Sequence, residues 1–161
     1  MEFDFSGTGK PAPIAWTKRG ASVGFLALSR EINGLIEDGA DLFGNLTPQP
    51  SGPRGKNGFK ALAVFDLPAN GGNGDGRITK ADSVWTKLRV WVDKNHDGVS
   101  QPSELLTMDQ AGIEAIAVSY VPSQWTDAYG NHFRYRGQIT WAQPVNGQKN
   151  AAIYDVVLQQ K

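Results

Sequence analysis

The chain has 161 residues, 40% of them hydrophobic and 20% charged, with 16 basic side chains against 16 acidic ones. This is the composition of an ordinary folded chain, so disorder is excluded as its main description. Zero net charge supplies neither a basic field for tracking phosphates nor a polybasic patch, so no nucleic-acid partner is expected. The longest apolar runs, 61–65, 115–118 and 153–158, fall far short of the roughly 20 residues a bilayer span requires, so no membrane insertion is expected. Cysteine is absent, which removes disulfides, thiolate metal sites and cysteine nucleophiles, and fits either a cytosolic protein or a bacterial secreted one. The opening Met1-Glu2-Phe3-Asp4 lacks a basic stretch followed by an apolar one, so no signal peptide is read there; the chain is expected to be a module of a longer protein.

In chain order, residues 1–28 read as an N-terminal β hairpin, Phe3-Asp4-Phe5 pairing with Ile14-Ala15-Trp16 near the main sheet. Asp4, Ser6, Thr8 and Gly9 faintly echo the loops described below, but Ala12 and Ala15 offer no closing ligand, so this is read as a turn. Residues 29–112 form a region of acidic, glycine-bearing loops and short helices, interrupted by a proline- and glycine-rich connector at 47–58. A helix is predicted near 59–65. Over 81–92, Val84, Trp85, Leu88, Trp91 and Val92 recur at spacings that predict an amphipathic helix, with Asp82 in its first turn. Another short helix is predicted from Ser103-Glu104 to a cap at Gly112. From 113 to 161 the segments 113–121, 131–142 and 151–159 predict an antiparallel meander, with turns at 127–131 and 144–147. The expectation is a single α+β domain with an EF-hand-like loop-helix-loop at its centre, packed with the meander and the N-terminal hairpin.

Three imperfect copies of one loop pattern carry the chemistry. In the third, Asp93, Asn95, Asp97, Gly98 and Glu104 stand at positions 1, 3, 5, 6 and 12 of an EF-hand loop. A hard cation such as calcium takes six to eight oxygens, and alternate residues of a wrapping chain supply them. Val99 is expected to offer its carbonyl, Gln101 to reach the ion directly or through water, and Glu104 to close the site with both oxygens. Magnesium suits such a loop less well, because it demands strict six-fold geometry and shorter bonds. Ser100 departs from the pattern at position 8, where a β-branched residue usually pairs with a neighbouring loop.

The second loop has Asn73, Asp75, Gly76, Ile78 and Asp82 at positions 3, 5, 6, 8 and 12, with Arg77 and Thr79 at 7 and 9. Gly71 stands where the first ligand belongs, and Asp66 is expected to replace it if 67–71 bulges back toward the ion. These two loops, 22 residues apart at position 8 and joined by the predicted helix, are expected to support each other. Only two methionines are present, too few for the groove that an opening sensor exposes. The first loop is degraded: Ser29, Glu31, Asn33, Gly34, Ile36 and Glu37 occupy positions 1, 3, 5, 6, 8 and 9, Ala40 falls at 12, and Asp38 or Asp41 would have to close it. Two calcium sites are expected, with a third, degenerate one possible at 29–41.

Together with these loops, Gly24-Phe25-Leu26-Ala27-Leu28, Leu42-Phe43-Gly44-Asn45, Asn57-Gly58-Phe59-Lys60-Ala61-Leu62, Leu88-Arg89-Val90-Trp91-Val92-Asp93 and Gly130-Asn131-His132-Phe133 resemble, in order and spacing, a module of bacterial RTX-type secreted proteins, including the iron-regulated meningococcal kind. The resemblance implies calcium binding, a secreted location, and in some members cleavage of a neighbouring aspartate-proline bond in their own chain. This sequence contains no Asp-Pro dipeptide, so self-cleavage within it is not expected. The family's first loop begins with aspartate where Ser29 stands here.

Other chemistries find less support. His96 and His132 are too few and too scattered for a zinc cluster, and no nucleophile-elbow serine or phosphate-loop lysine is present. The reading is a non-catalytic calcium-binding module whose partners are calcium ions and segments of its parent protein. The alternatives are a self-processing fragment and an adhesion module using Trp125, Tyr129 and Trp141.

Overall fold

The computed structural model describes residues 1–53 and 55–160. Arg54, in the predicted connector, and Lys161, at the end of the predicted meander region, lie outside the described residues. The expected α+β architecture is corrected by what the chain adopts, which is predominantly β. Among the described residues ten strands form three sheets, and there is one α-helix, α1, Gly58–Ala63.

The N-terminal hairpin, β1 (Glu2–Phe3) with β2 (Ala12–Pro13), is a sheet of its own rather than part of the main one. A three-stranded sheet runs β3 (Phe25–Ala27), β5 (Arg89–Trp91), β6 (Leu105–Leu106). The largest sheet has the order β10 (Gln148–Val157), β9 (His132–Val145), β7 (Ile113–Ala117), β4 (Arg77–Ile78), with β8 (Val121–Thr126) also paired to β9. Asn146 and Gly147, both at positive φ, make the tight turn between β9 and β10, a backbone shape that matches the twist of the strands they join.

The predicted helix at 81–92 is absent, and the reason is local competition followed by tertiary pairing. Both Asp82 oxygens are taken by loop amides, of Thr79 at 2.7 Å and Asn73 at 3.2 Å. The chain then descends through successive turns, with Trp85 N–H on the Asp82 carbonyl and Lys87 N–H on that of Val84. Val84, Trp85 and Leu88 are still buried, so the spacing did mark an inward face. Val90 and Trp91 leave in extended form because β3 offers them partners, Leu26 and Phe25. The helix predicted from 103 to 112 is likewise replaced, by a 3-10 turn at Pro102–Glu104, strand β6 and a turn ending at Gly112 with φ 72°. The segment predicted as helical at 59–65 is α1 continued by 3-10 geometry at Val64–Asp66.

Two apolar clusters hold these pieces. One gathers Leu62, Ile78, Val84, Trp85, Leu88, Met108, Ile113, Ile116 and Ile139 under the main sheet. The other gathers Phe3, Ile14, Ala27, Ile36, Leu42 and Trp91 beneath the first and third loops. The ends of the connector are tied down rather than free. Asn57 is fully buried and caps α1 by accepting from Lys60 N–H, while Asp155 accepts the Gly58 amide at 2.7 Å and pairs with Arg134. Gly137 lets Phe59 lie against β9: a Cβ there would stand 2.4 Å from the ring.

Candidate metal centre

The third loop, entered from β5 and closed by the Pro102–Glu104 turn, is organised around its first carboxylate. Asp93 Oδ1 accepts the His96 amide at 2.7 Å and Oδ2 the Gly98 amide at 3.0 Å. His96 and Gly98 both have positive φ, 62° and 75°, which aims their N–H groups inward at positions 4 and 6. Asn95 Oδ1 accepts from Asp97 N–H, and Asp97 Oδ1 from Val99 N–H. The Asn95 and Gln101 side-chain amides both donate to Asp97 Oδ2, at 2.8 and 2.9 Å. The Val99 amide, resisted by burial and aided by those two side chains, holds the Asp97 carboxyl below its ordinary range. Glu104 closes the loop by accepting Lys94 N–H at 2.8 Å and Gln101 N–H at 3.4 Å.

The second loop repeats this network at positions 3 to 7, with Asp66 in place of a first-position acid, and differs at its closure, where Asp82 takes the amides at positions 3 and 9 instead of 2 and 9. Asp66 Oδ1 accepts the Gly74 amide at position 4 and Oδ2 the Gly76 amide at position 6, at 3.1 and 2.9 Å. Gly74 and Gly76 again have positive φ, 73° and 84°. A 3-10 turn at Pro68–Asn70, ended by Gly71 in the left-handed region, folds the chain back so that Gly72 rests on Asp66; a Cβ at Gly72 would lie 2.2 Å from the Asp66 carbonyl. Asn73 Oδ1 accepts from Asp75 N–H, Asp75 Oδ1 from Arg77 N–H, and Asp82 closes on the Asn73 and Thr79 amides. The Arg77 guanidinium leaves the loop and donates to Thr140 across the sheet.

In the first loop Asp41, one place beyond position 12, performs the closure. It accepts Arg30 N–H and Glu37 N–H, both at 2.9 Å, the amides equivalent to those on Glu104. Among the described residues Ser29 bonds only to Glu31, so no first-position carboxylate gathers the Gly34 amide, which turns to the Glu31 carbonyl.

The charges of these loops are of the kind a cation would compensate. Asp41, Asp66, Asp82, Asp93 and Glu104 are buried, and none is in an ion pair among the described residues, whereas buried Asp155 has Arg134. A buried carboxylate is costly unless a cation or several hydrogen bonds compensate it. Here amides supply part of that compensation, and the remaining donor set is all hard oxygen, which fits calcium. Among the described residues no three acidic or histidine side chains converge as a preformed cluster. The pair of helices that flanks an EF-hand loop is not formed: loop two is entered from α1 through the 3-10 turn at Val64–Asp66 but is left by successive turns, and loop three is entered from β5 and left by the Pro102–Glu104 turn.

Three contacts had no signal in the sequence. The Trp16 indole N–H donates to Asp93 Oδ2 at 2.8 Å across 77 residues, and Met1 lies on Gly98, where a Cβ would be 2.3 Å from Met1 Cε. The third is the pairing of loops. Position 8 of the second loop, Ile78, pairs with Ile116 of β7, while Ser100 of the third meets Ile36 of the first. At position 8 loops two and three therefore do not pair with each other. Trp125 and Tyr129 are half or more exposed, and Trp125 stacks on Phe133 with ring centroids 3.9 Å apart.

A β-rich chain with three glycine-cornered acidic loops, each closed by a buried carboxylate, defines the class of protein in which a relationship is to be sought. Residues 1–159 match the SPM domain, and the chain belongs to that family. It is 36% identical over 138 residues to the iron-regulated protein FrpA of Neisseria meningitidis serogroup C, a match that covers 86% of this chain and 12% of that relative. Among the described residues no helix is long and apolar enough to cross a membrane.

Proposed function

We propose that this chain is a non-catalytic calcium-binding module of a larger secreted protein, folded or stabilised by the ion, with sites in the second and third loops. The observation that carries the reading is the set of buried carboxylates with no cationic partner among the described residues, Asp66 and Asp82 in one loop and Asp93 and Glu104 in the other. Calcium would be held in one site by Asp66, Asn73, Asp75, the Arg77 carbonyl, Thr79 and Asp82, and in the other by Asp93, Asn95, Asp97, the Val99 carbonyl, Gln101 and Glu104. Bound calcium supplies the positive charge that these oxygens lack; it performs no reaction. The secreted location rests on the family resemblance. Outside the cell millimolar calcium saturates even a site of about 10⁻⁴ M affinity.

Calorimetric titration of chelator-stripped protein with calcium tests the reading. Two equivalents are expected, with an accompanying rise in Tm, since a ligand at 100 times its Kd adds about 2.7 kcal/mol per site. No heat and no change in Tm at millimolar calcium would overturn it.

A further inference from the structure

The first and third loops share an unusual joint. Ser100 Oγ accepts the Ile36 amide at 2.8 Å and donates to the Ile36 carbonyl at 3.1 Å, so one hydroxyl satisfies both backbone groups of a residue 64 positions away. Both residues are 3% exposed. Ile36 sits in the second apolar cluster with Trp91, and the adjoining Glu37 amide is held by Asp41, the residue that closes the first loop. On the other side, Gln101 follows Ser100 directly, and its amide is held by Glu104. The closing carboxylates of the two loops are thus joined through four consecutive links: Asp41, the Glu37–Ile36 peptide, the Ser100 hydroxyl, and the Gln101 amide on Glu104. Among the described residues no such path leads to the second loop, whose Ile78 is paired with Ile116 of β7.

We propose that Ser100 is a positioning residue that couples the third loop to the first, so that the affinity of the third loop for calcium depends on a closed first loop and not on the second loop. This rests on the calcium reading of the third loop and does not require the first loop to bind an ion. The physical basis is that a buried hydroxyl exchanging two hydrogen bonds fixes the backbone of its own residue, and thereby the orientation of the donors at positions 7 and 9 beside it. Without it the Ile36 N–H and C=O lose their partner, and the third loop must be ordered by the ion alone.

The test is a calcium titration of the whole chain followed by tryptophan emission, because the Trp16 and Trp91 indoles donate to Asp93 and Glu104. The third-loop signal is the part that Glu104→Gln abolishes, and the second-loop signal the part that Asp82→Asn abolishes. Ser100→Ala is expected to weaken the third-loop midpoint about tenfold, the loss of one to two net hydrogen bonds, and to leave the second-loop midpoint within about twofold. Asp41→Ala, which opens the first loop from its far side, is expected to do the same, and the double variant to be no weaker than either single one. A general loss of stability would weaken both loops alike, so equal shifts in the two signals overturn the proposal. So do an unchanged third-loop midpoint in Ser100→Ala, multiplication of the two effects, or a shift of the third-loop midpoint by Asp82→Asn as large as that by Asp41→Ala. Absence of any calcium response that Glu104→Gln removes would instead overturn the calcium reading itself, and the coupling with it.

Discussion

At the scale of single residues, the protein is governed by carboxylates that gather backbone N–H groups. Asp66 does for the second loop what Asp93 does for the third, although it lies outside the aligned repeat, because each collects the amides at positions 4 and 6. The residues between, Leu67 to Gly72, are shaped to permit this, with Gly71 at φ 82° and Gly72 pressed on the Asp66 backbone. Asp66→Ala is therefore expected to lower the unfolding free energy by about 3 kcal/mol, since two charge-assisted hydrogen bonds are lost at a buried site. It is also expected to reduce calcium stoichiometry by one; denaturant melts and calorimetry on the same variant read the two effects, and an unchanged melt would show that the Asp66 amide bonds contribute nothing to stability. The spacing 1, 3, 5, 6, 12 made Asp93 to Glu104 and Asn73 to Asp82 readable, because consecutive residues within one loop determine it. Asp66 was readable only by asking which nearby oxygen could replace the one Gly71 lacks. The role of Trp16 was not, because 77 residues separate it from Asp93.

At the scale of elements, turns decide more than helices. The periodicity at 81–92 marked a buried face, but Asp82 was already engaged with loop amides, and the strand partner Phe25–Ala27 drew Arg89–Trp91 into a sheet. Helical spacing says that a face is buried; it does not say that a helix buries it. The turn joining β8 and β9 illustrates how a side chain fixes such a connection. Burial tends to raise the Asp127 carboxyl, but the Asn131 side chain and the amides of Asn131, Tyr129 and Gly130 outweigh it and hold the group below the ordinary 3.8. A group depressed in this way stabilises the fold above its unfolded pKa, and the contribution is lost as pH falls below 3.8 through the folded value. Asp127→Asn is expected to remove that part of the acid dependence: stability measured by denaturant melts in calcium-free buffer should fall less steeply below this pH than in the unaltered chain. An equally steep fall would assign the acid limb to other carboxylates.

At the scale of the whole molecule, unpaired and paired charge are distributed unevenly. Among the described residues the buried carboxylates of the three loops, Asp41, Asp66, Asp82, Asp93 and Glu104, have no ion pair, whereas the buried carboxylate of the β9–β10 hairpin, Asp155, is neutralised by Arg134 at 2.9 Å. Removing calcium should accordingly loosen the molecule in order. Amides of the second and third loops, of β3 and β5, and of the first loop that Ser100 joins to the third are expected to lose hydrogen-exchange protection on addition of chelator, while β9 and β10 keep theirs; uniform loss would show that the ion acts on the fold as one cooperative unit. The sequence by itself determined the carboxylate-bearing loops, the glycine corners, the Asn146-Gly147 turn and the absence of thiol chemistry, since each depends on residues within about a dozen positions of one another. Only the tertiary structure decided that the chain is β-rich, that Ile78 belongs to the main sheet, and that the third loop is joined to the first through Ser100 and to the N-terminus through Trp16 and Met1. These are pairings across tens of residues, set by which buried backbone and polar groups find partners when the two apolar clusters close, and no local pattern carries that choice.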